Sequence, residues 1–171
     1  SEGGQTSATT DLTRYKNALQ KTVKQAVSRA ALKEVGIFAR DIVVKRTRLG
    51  YGVESNFGSK AAFAGLSDKY KKRRASSDLS PLTRPNKSNL TNTGQMLASM
   101  KSFTPRDGTI EIRPTGKRDD GYTNEDIAEF NAIGGKNRPP RVFNFVSNNE
   151  YFQIIRFYRR TFTDLLKKVK L

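Results

Sequence analysis

The chain has 171 residues, 35% of them hydrophobic and 28% charged, with 32 Lys and Arg against 16 Asp and Glu, a formal charge of +16, and no His, Cys or Trp. That length suits one domain with a small core. Without Cys there is no disulfide framework and no thiolate nucleophile, without His no Ser-His-Asp or Cys-His pairing, and without either no ordinary zinc site. No apolar run approaches the ~20 residues of a membrane span, and no basic stretch leading into an apolar segment opens the chain. A soluble protein without membrane contact is expected, acting in the cytoplasm or after release from it. The excess positive charge points to an acidic partner, to nucleic acid, or to packing in a larger assembly.

Residues 1–10 (SEGGQTSATT) carry no large apolar group and predict a flexible N-terminal arm, followed by a single domain over 11–171. From Asp11 the pattern turns helical. Leu12, Tyr15, Leu19, Val23, Val27, Ala31, Val35, Phe38 and Ile42 recur in steps of three or four, which predicts an amphipathic helix over 11–46, with a bend or break allowed at Gly36. Such a helix is longer than the core of this domain needs. Glycines at 50, 52, 58 and 65 then mark loop or loose hairpin, and the segment 50–89 reads as an extended basic loop. Within it, Leu66–Arg74 predicts a short helix capped by Ser67.

Leu90–Met100 predicts another short helix, capped by Asn92 or Thr93, with Met96, Leu97 and Met100 toward the core. The period then changes to that of a β-hairpin, 101–104 and 109–113 around Asp107-Gly108. Asn124–Ile133 predicts a helix ended by Gly134-Gly135, with Ile127, Phe130 and Ile133 at helical spacing. Residues 138–145 (RPPRVFNF) predict a strand after a stiff entry. Ser147 and Glu150 form a capping box that opens a last helix with a stripe of Phe152, Ile155, Tyr158, Phe162, Leu165 or Leu166, and Val169. The order predicts an α+β fold: a long N-terminal helix, a small, mainly antiparallel β-sheet, short helices and a C-terminal amphipathic helix.

The carboxylates Asp119, Asp120, Glu125, Asp126 and Glu129 are the only acid/base or Mg²⁺ candidates, and they read better as loop and first-turn acids. No phosphate-cradling or nucleophile-elbow motif is present. Seven basic residues between 69 and 87 (Lys69, Lys71, Lys72, Arg73, Arg74, Arg84 and Lys87), against Asp78 alone, are the candidate surface for a partner or for DNA. Over the whole chain, that run included, the basic residues are spread almost evenly: 11 in 1–60, 12 in 61–120 and 9 in 121–171. That spread singles out no dedicated nucleic-acid motif. The aromatic-rich last helix, with Phe157 off its core line, predicts an interface for self-association as readily as an ordinary core helix.

Three segments, in order, resemble the tail-completion (tail-to-head joining, neck or virion-morphogenesis) proteins of tailed bacteriophages, which are similar to minor tail protein Z. The first is Leu90…Thr93-Gly94-x-Met96-x-x-Ser99-Met100, the second Ile127-Ala128-x-x-Asn131-x-x-Gly134, the third Pro140-Arg141-x-Phe143. Upstream, Leu66-Ser67…Tyr70…Arg74 is similar to a short stretch ahead of the family's T-G motif. Ile127 stands where the family has an aromatic residue, and Asn131 where it has His. The resemblance implies a structural virion protein without catalytic residues, cofactor or metal. It forms a homo-oligomeric ring, most often six-fold with twelve-fold as the alternative, at the neck between head and tail, assembled in the host cytoplasm. Its neighbours would be head-connector or adaptor proteins and tail-terminator or tail-tube proteins, with genomic DNA passing by. Arg141 is the residue expected to make a structural ion pair, across subunits or within one, and Phe143 the one expected in the core. A basic nucleic-acid-binding protein is the alternative.

Overall fold

A 46-residue helix, α1 (Gly3–Arg48), organises the chain in the computed structural model, which describes residues 3–55, 57–76, 90, 94–105, 107–136 and 138–169 (backbone alone for 3–12). After it come β1 (Tyr51–Val53), β2 (Lys60–Ala62), α2 (Asp68–Ala75), α3 (Gln95–Ala98), β3 (Met100–Phe103), β4 (Glu111–Pro114), α4 (Asn124–Ile133) and α5 (Asn148–Lys168). The fold is α+β, and its strands form two separate antiparallel pairs, β1 with β2 and β3 with β4. Among the described residues no helix is long and apolar enough to cross a membrane.

α1 takes in Gly3–Thr10, so that part of the segment expected to be an arm is helical, and residues 1–2 lie outside the described residues. The buried line of the helix is Val27, Ala31, Val35, Ala39, Val43 and Thr47, each four residues after the last. These are small side chains, and they let the neighbouring elements come close. The helix runs on through Gly36 without a break. That glycine sits against β3, where an added Cβ would lie 3.1 Å from the Cβ and Oγ of Ser102. The glycine cost of about 1 kcal/mol is the condition for that approach. Toward the other end the apolar stripe has no cover: Tyr15 is 69% and Leu19 45% exposed. They lie on the length of helix that exceeds what the core needs.

The β3–β4 ladder pairs Met100 with Pro114 and Phe103 with Glu111. The connection is wider than a two-residue turn. The Asp107 carboxylate closes it by accepting from the backbone N–H (3.0 Å) and hydroxyl (2.8 Å) of Thr109. These bonds favour the ionised form, with the backbone bond first, and hold Asp107 below the usual carboxylate range. Residues 138–145 are extended but form no strand. Pro139 and Pro140 have no N–H to give, and the segment is tied down singly, Val53 N–H to the Val142 carbonyl at 3.2 Å and Phe57 N–H to the Val146 carbonyl at 2.7 Å.

α5 packs along α1. The Phe38 and Phe157 rings stack at 4.3 Å with 8° between planes, and the Ser28 and Tyr158 hydroxyls lie 3.2 Å apart. Phe157 is therefore half-buried, whereas Phe152, expected on the core stripe, is 53% exposed. Where the helices meet, the buried Arg46 guanidinium pairs through Nη1 with the Glu150 carboxylate. Its Nη2 donates to the carbonyls of Phe143 and Phe145, the latter at 2.9 Å. Burial lowers the Arg46 pKa from its ordinary value, and the charge and hydrogen bond of Glu150 oppose that shift.

Removing one member of a buried pair leaves the other charge without compensation. Arg46→Met is expected to lower unfolding stability by about 3–5 kcal/mol in denaturant titrations. Arg46→Met combined with Glu150→Leu should cost less than the sum of the two single changes.

Candidate functional site

The three segments that carry the family resemblance are separate in sequence and meet in space. Met96, Leu97 and Met100 form one buried cluster with Phe143 and Val43, against which Ile127, Ala128 and Leu90 pack from their half-buried positions. Phe143 is 1% exposed, inside the core as its position after Pro140-Arg141 suggested. Burying a side chain of that size is worth about 2–3 kcal/mol.

Each motif also has a backbone task. Gly94, with φ +73°, is the N-cap of α3; Asn92 and Thr93, from which a cap was expected, lie outside the described residues. The helix is a single turn, because β3 begins at Met100. The Ser99 hydroxyl donates to the Met96 carbonyl at 2.8 Å, and the Ser99 carbonyl accepts from the Thr115 N–H at 3.2 Å and hydroxyl at 3.1 Å. Asn131 closes its own helix through Nδ2 to the Ile127 carbonyl at 2.7 Å, and its carbonyl accepts the Arg141 N–H at 2.7 Å. Gly134, at φ +79°, ends α4 where an added Cβ would lie 2.6 Å from the Arg138 carbonyl oxygen and 2.8 Å from the Pro140 nitrogen. The second motif thus holds the third by backbone contact.

The upstream stretch lies within electrostatic reach of Arg141. Ser67 caps α2 by accepting from the Tyr70 N–H at 3.4 Å. Arg74, assigned to a partner- or DNA-facing surface, is instead buried at 4% exposure. Its guanidinium carbon lies 5.9 Å from the centre of the Tyr70 ring. Arg141 is buried too, with Nη1 3.5 Å from the Pro139 carbonyl. Burial lowers the pKa of both arginines from the ordinary value. Tyr70 opposes the shift at each, whereas the charges of Arg138 and Arg74 push Arg141 further down.

Of the basic run, Lys69, Lys72 and Arg73 remain exposed on α2; Lys71 is half-buried and pairs with Asp68 at 3.0 Å. Arg84 and Lys87 lie outside the described residues. A charge run can therefore be split by the helix that carries it, one arginine entering the core while its neighbours stay in water.

The carboxylates lie around α4 and have local structural tasks. Asp120 pairs with Arg118 at 3.2 Å, and Arg113 bridges Glu111 (3.1 Å) and Glu125. Asp126 completes the capping box with Thr123, whose hydroxyl and N–H both lie 2.7 Å from its carboxylate. Asp119 and Glu129 are exposed. Among the described residues no group of three or more His, Cys, Asp or Glu is placed to hold a metal ion. No family model, curated protein or solved structure matches the chain.

Sequence reasoning missed the Arg46–Glu150 pair and Asn124. The Asn124 side chain is buried and donates through Nδ2 to the Thr115 carbonyl at 2.8 Å, tying α4 to the strand before it. The four-residue buried line of α1, which runs through Val43 and Thr47, was the available signal for Arg46. Nothing in the run 69–74 distinguishes Arg74 from its neighbours.

Gly134→Ala is expected to cost about 2 kcal/mol or more, from left-handed backbone strain and the backbone collision together. Thermal or denaturant unfolding reads it. The Thr123 bonds, side chain first, lower the Asp126 pKa, so its contribution is present above the unfolded value and lost as pH falls through the folded one. Asp126→Asn should therefore flatten the loss of stability below about pH 4, followed by circular dichroism.

Proposed function

We propose that this chain is a structural virion protein of a tailed bacteriophage, forming a homo-oligomeric ring in the neck that joins the DNA-filled head to the tail. The observation that carries the reading is the convergence of the three resembling segments on one packed cluster. Met96, Ile127 and Phe143 fill it, and Gly134 and Asn131 fix the chain around it. Motifs of this kind serve a scaffold, and a scaffold delivers function through its surfaces. The free end of α1 and the exposed apolar groups at Tyr122, Phe130, Ile133 and Phe152 provide such surfaces. The positive balance suits docking onto acidic faces of neighbouring rings in the connector or tail, or lining a passage for DNA. A ring subunit needs lateral faces that close on themselves.

A second reading is a nucleic-acid-binding protein. It is favoured by Lys69, Lys72 and Arg73 in water on one helix, with the Arg73 guanidinium 4.9 Å over the Tyr70 ring.

The mass of the purified chain, by light scattering at low and high salt, tests both. The expected result is a discrete closed species near six or twelve subunits. A chain that stays monomeric, alone and with neck partners, overturns the ring. Tight duplex or single-strand binding by the monomer, falling steeply with salt, favours the second reading.

A further inference from the structure

The free end of α1 has an apolar stripe with basic edges. Every described side chain from Thr13 to Leu19 is exposed. Tyr15 and Leu19 lie one turn apart, with Arg14, Lys16 and Lys21 beside them. Between Leu12 and Lys33 the sequence has six basic residues and no acid.

The molecule carries a surface of the opposite kind. Six of its sixteen acids fall between Glu111 and Glu129, against three basic residues there, Arg113, Lys117 and Arg118. On α4 the solvent face holds Glu125, Glu129, Phe130 and Ile133 together, while Ile127 and Ala128 turn inward. Ile133 is 68% and Phe130 41% exposed, and Tyr122, 50% exposed, sets its ring edge-on to Phe130 at 5.7 Å. This is an aromatic-aliphatic patch with an acidic border.

The two surfaces cannot meet within one chain. α4 packs through Ile127 and Ala128 on the cluster that includes Val43, and Leu19 lies 24 residues before Val43 on the same unbroken helix, about 36 Å away along its axis. The other exposed aromatic patch, Tyr151 and Phe152, borders a hollow with Arg156 and Arg159, the same sign as α1. Charge therefore selects α4.

We propose that the free end of α1 of one copy docks on the α4 face of the next, Tyr15 and Leu19 against Phe130 and Ile133, with the basic edge of α1 facing Glu125 and Glu129. The contact is head-to-tail, the class that generates rings when its rotation closes. It deepens the self-association reading above and rests on it, independently of where in a virion the assembly sits.

The full chain contains no cysteine, so introduced thiols report only the designed pair. Leu19 and Ile133 are both exposed, which leaves folding untouched. Leu19→Cys with Ile133→Cys, treated with a short bismaleimide, is expected to give a ladder of covalent multimers on a denaturing gel. Each single variant should stay monomeric on the same gel. Covalent dimers from either single variant would mean a symmetric contact and overturn the proposal. So would a double variant that fails to cross-link while scattering still shows the multimer, which removes this contact and leaves self-association standing. A monomer without cross-links overturns both. In a second set, Lys16→Glu with Lys21→Glu should weaken assembly at least tenfold by sedimentation, and adding Glu125→Lys with Glu129→Lys should restore much of it. Weakening without rescue counts against the electrostatic match.

Discussion

The buried guanidinium of Arg46 sets the terms for most of the fold. A charge inside a protein is tolerated when its donors are engaged, and here Nη1 and Nη2 reach two different pieces of chain, while the buried Nε has no hydrogen-bond partner. The Glu150 carboxylate belongs to the first turn of α5, while the carbonyls of Phe143 and Phe145 belong to the extended segment before it. The same carboxylate accepts the Ser147 N–H at 2.9 Å, so the helix cap and the ion pair share one group. One side chain on α1 thereby fixes where α5 begins and how the segment entering it runs. That position places Phe143 in the core, and the core in turn seats Ile127, Met96 and Met100. The segment itself lacks a ladder, because two prolines withhold donors, so the guanidinium supplies what a sheet would otherwise have given.

Local chemistry was legible in the sequence and long-range pairing was not. The helices at Asp68–Ala75, Asn124–Ile133 and Asn148–Lys168 were readable because Ser67, Thr123 and Ser147 satisfy orphan N–H groups within three residues, and such signals need no tertiary partner. The extent of α1 was legible in part. Its periodicity was real and its length exceeded what the core needs, but period alone does not say where along the helix the partner stops. Residues 138–145 had strand composition without a neighbour to pair with. The cluster behind the motifs was visible only as a resemblance, since Arg74 and Arg141 approach each other from segments far apart in sequence and carry the same charge. Nothing local announces that two cations will share an interior.

The distribution of roles follows from this division. The motif positions of the resembling segments fill space or hold backbone, and groups able to meet another molecule lie on the free helix end, between motif positions on the outer face of α4, and on α2. Charge is sorted along the same line. The acids gather near α4, where several are engaged by Arg113, Arg118 and the Thr123 cap, and the long basic tract lies on the far end of α1. A strongly basic protein thus presents faces of both signs, which the net charge alone conceals.

The continuity of α1 has a mechanical side. Its base is clamped by the Arg46 cluster and its flank by the Phe38–Phe157 stack and the Ser28–Tyr158 contact, beyond which Tyr15 stands about 20 Å along the axis. A helix without a break behaves as a lever. A tilt of about 5° at that last contact carries Tyr15 sideways by about 2 Å, less than half the rise of one helical turn. Load applied at the tip arrives at the packed pair of helices, and a small slip there is magnified at the tip.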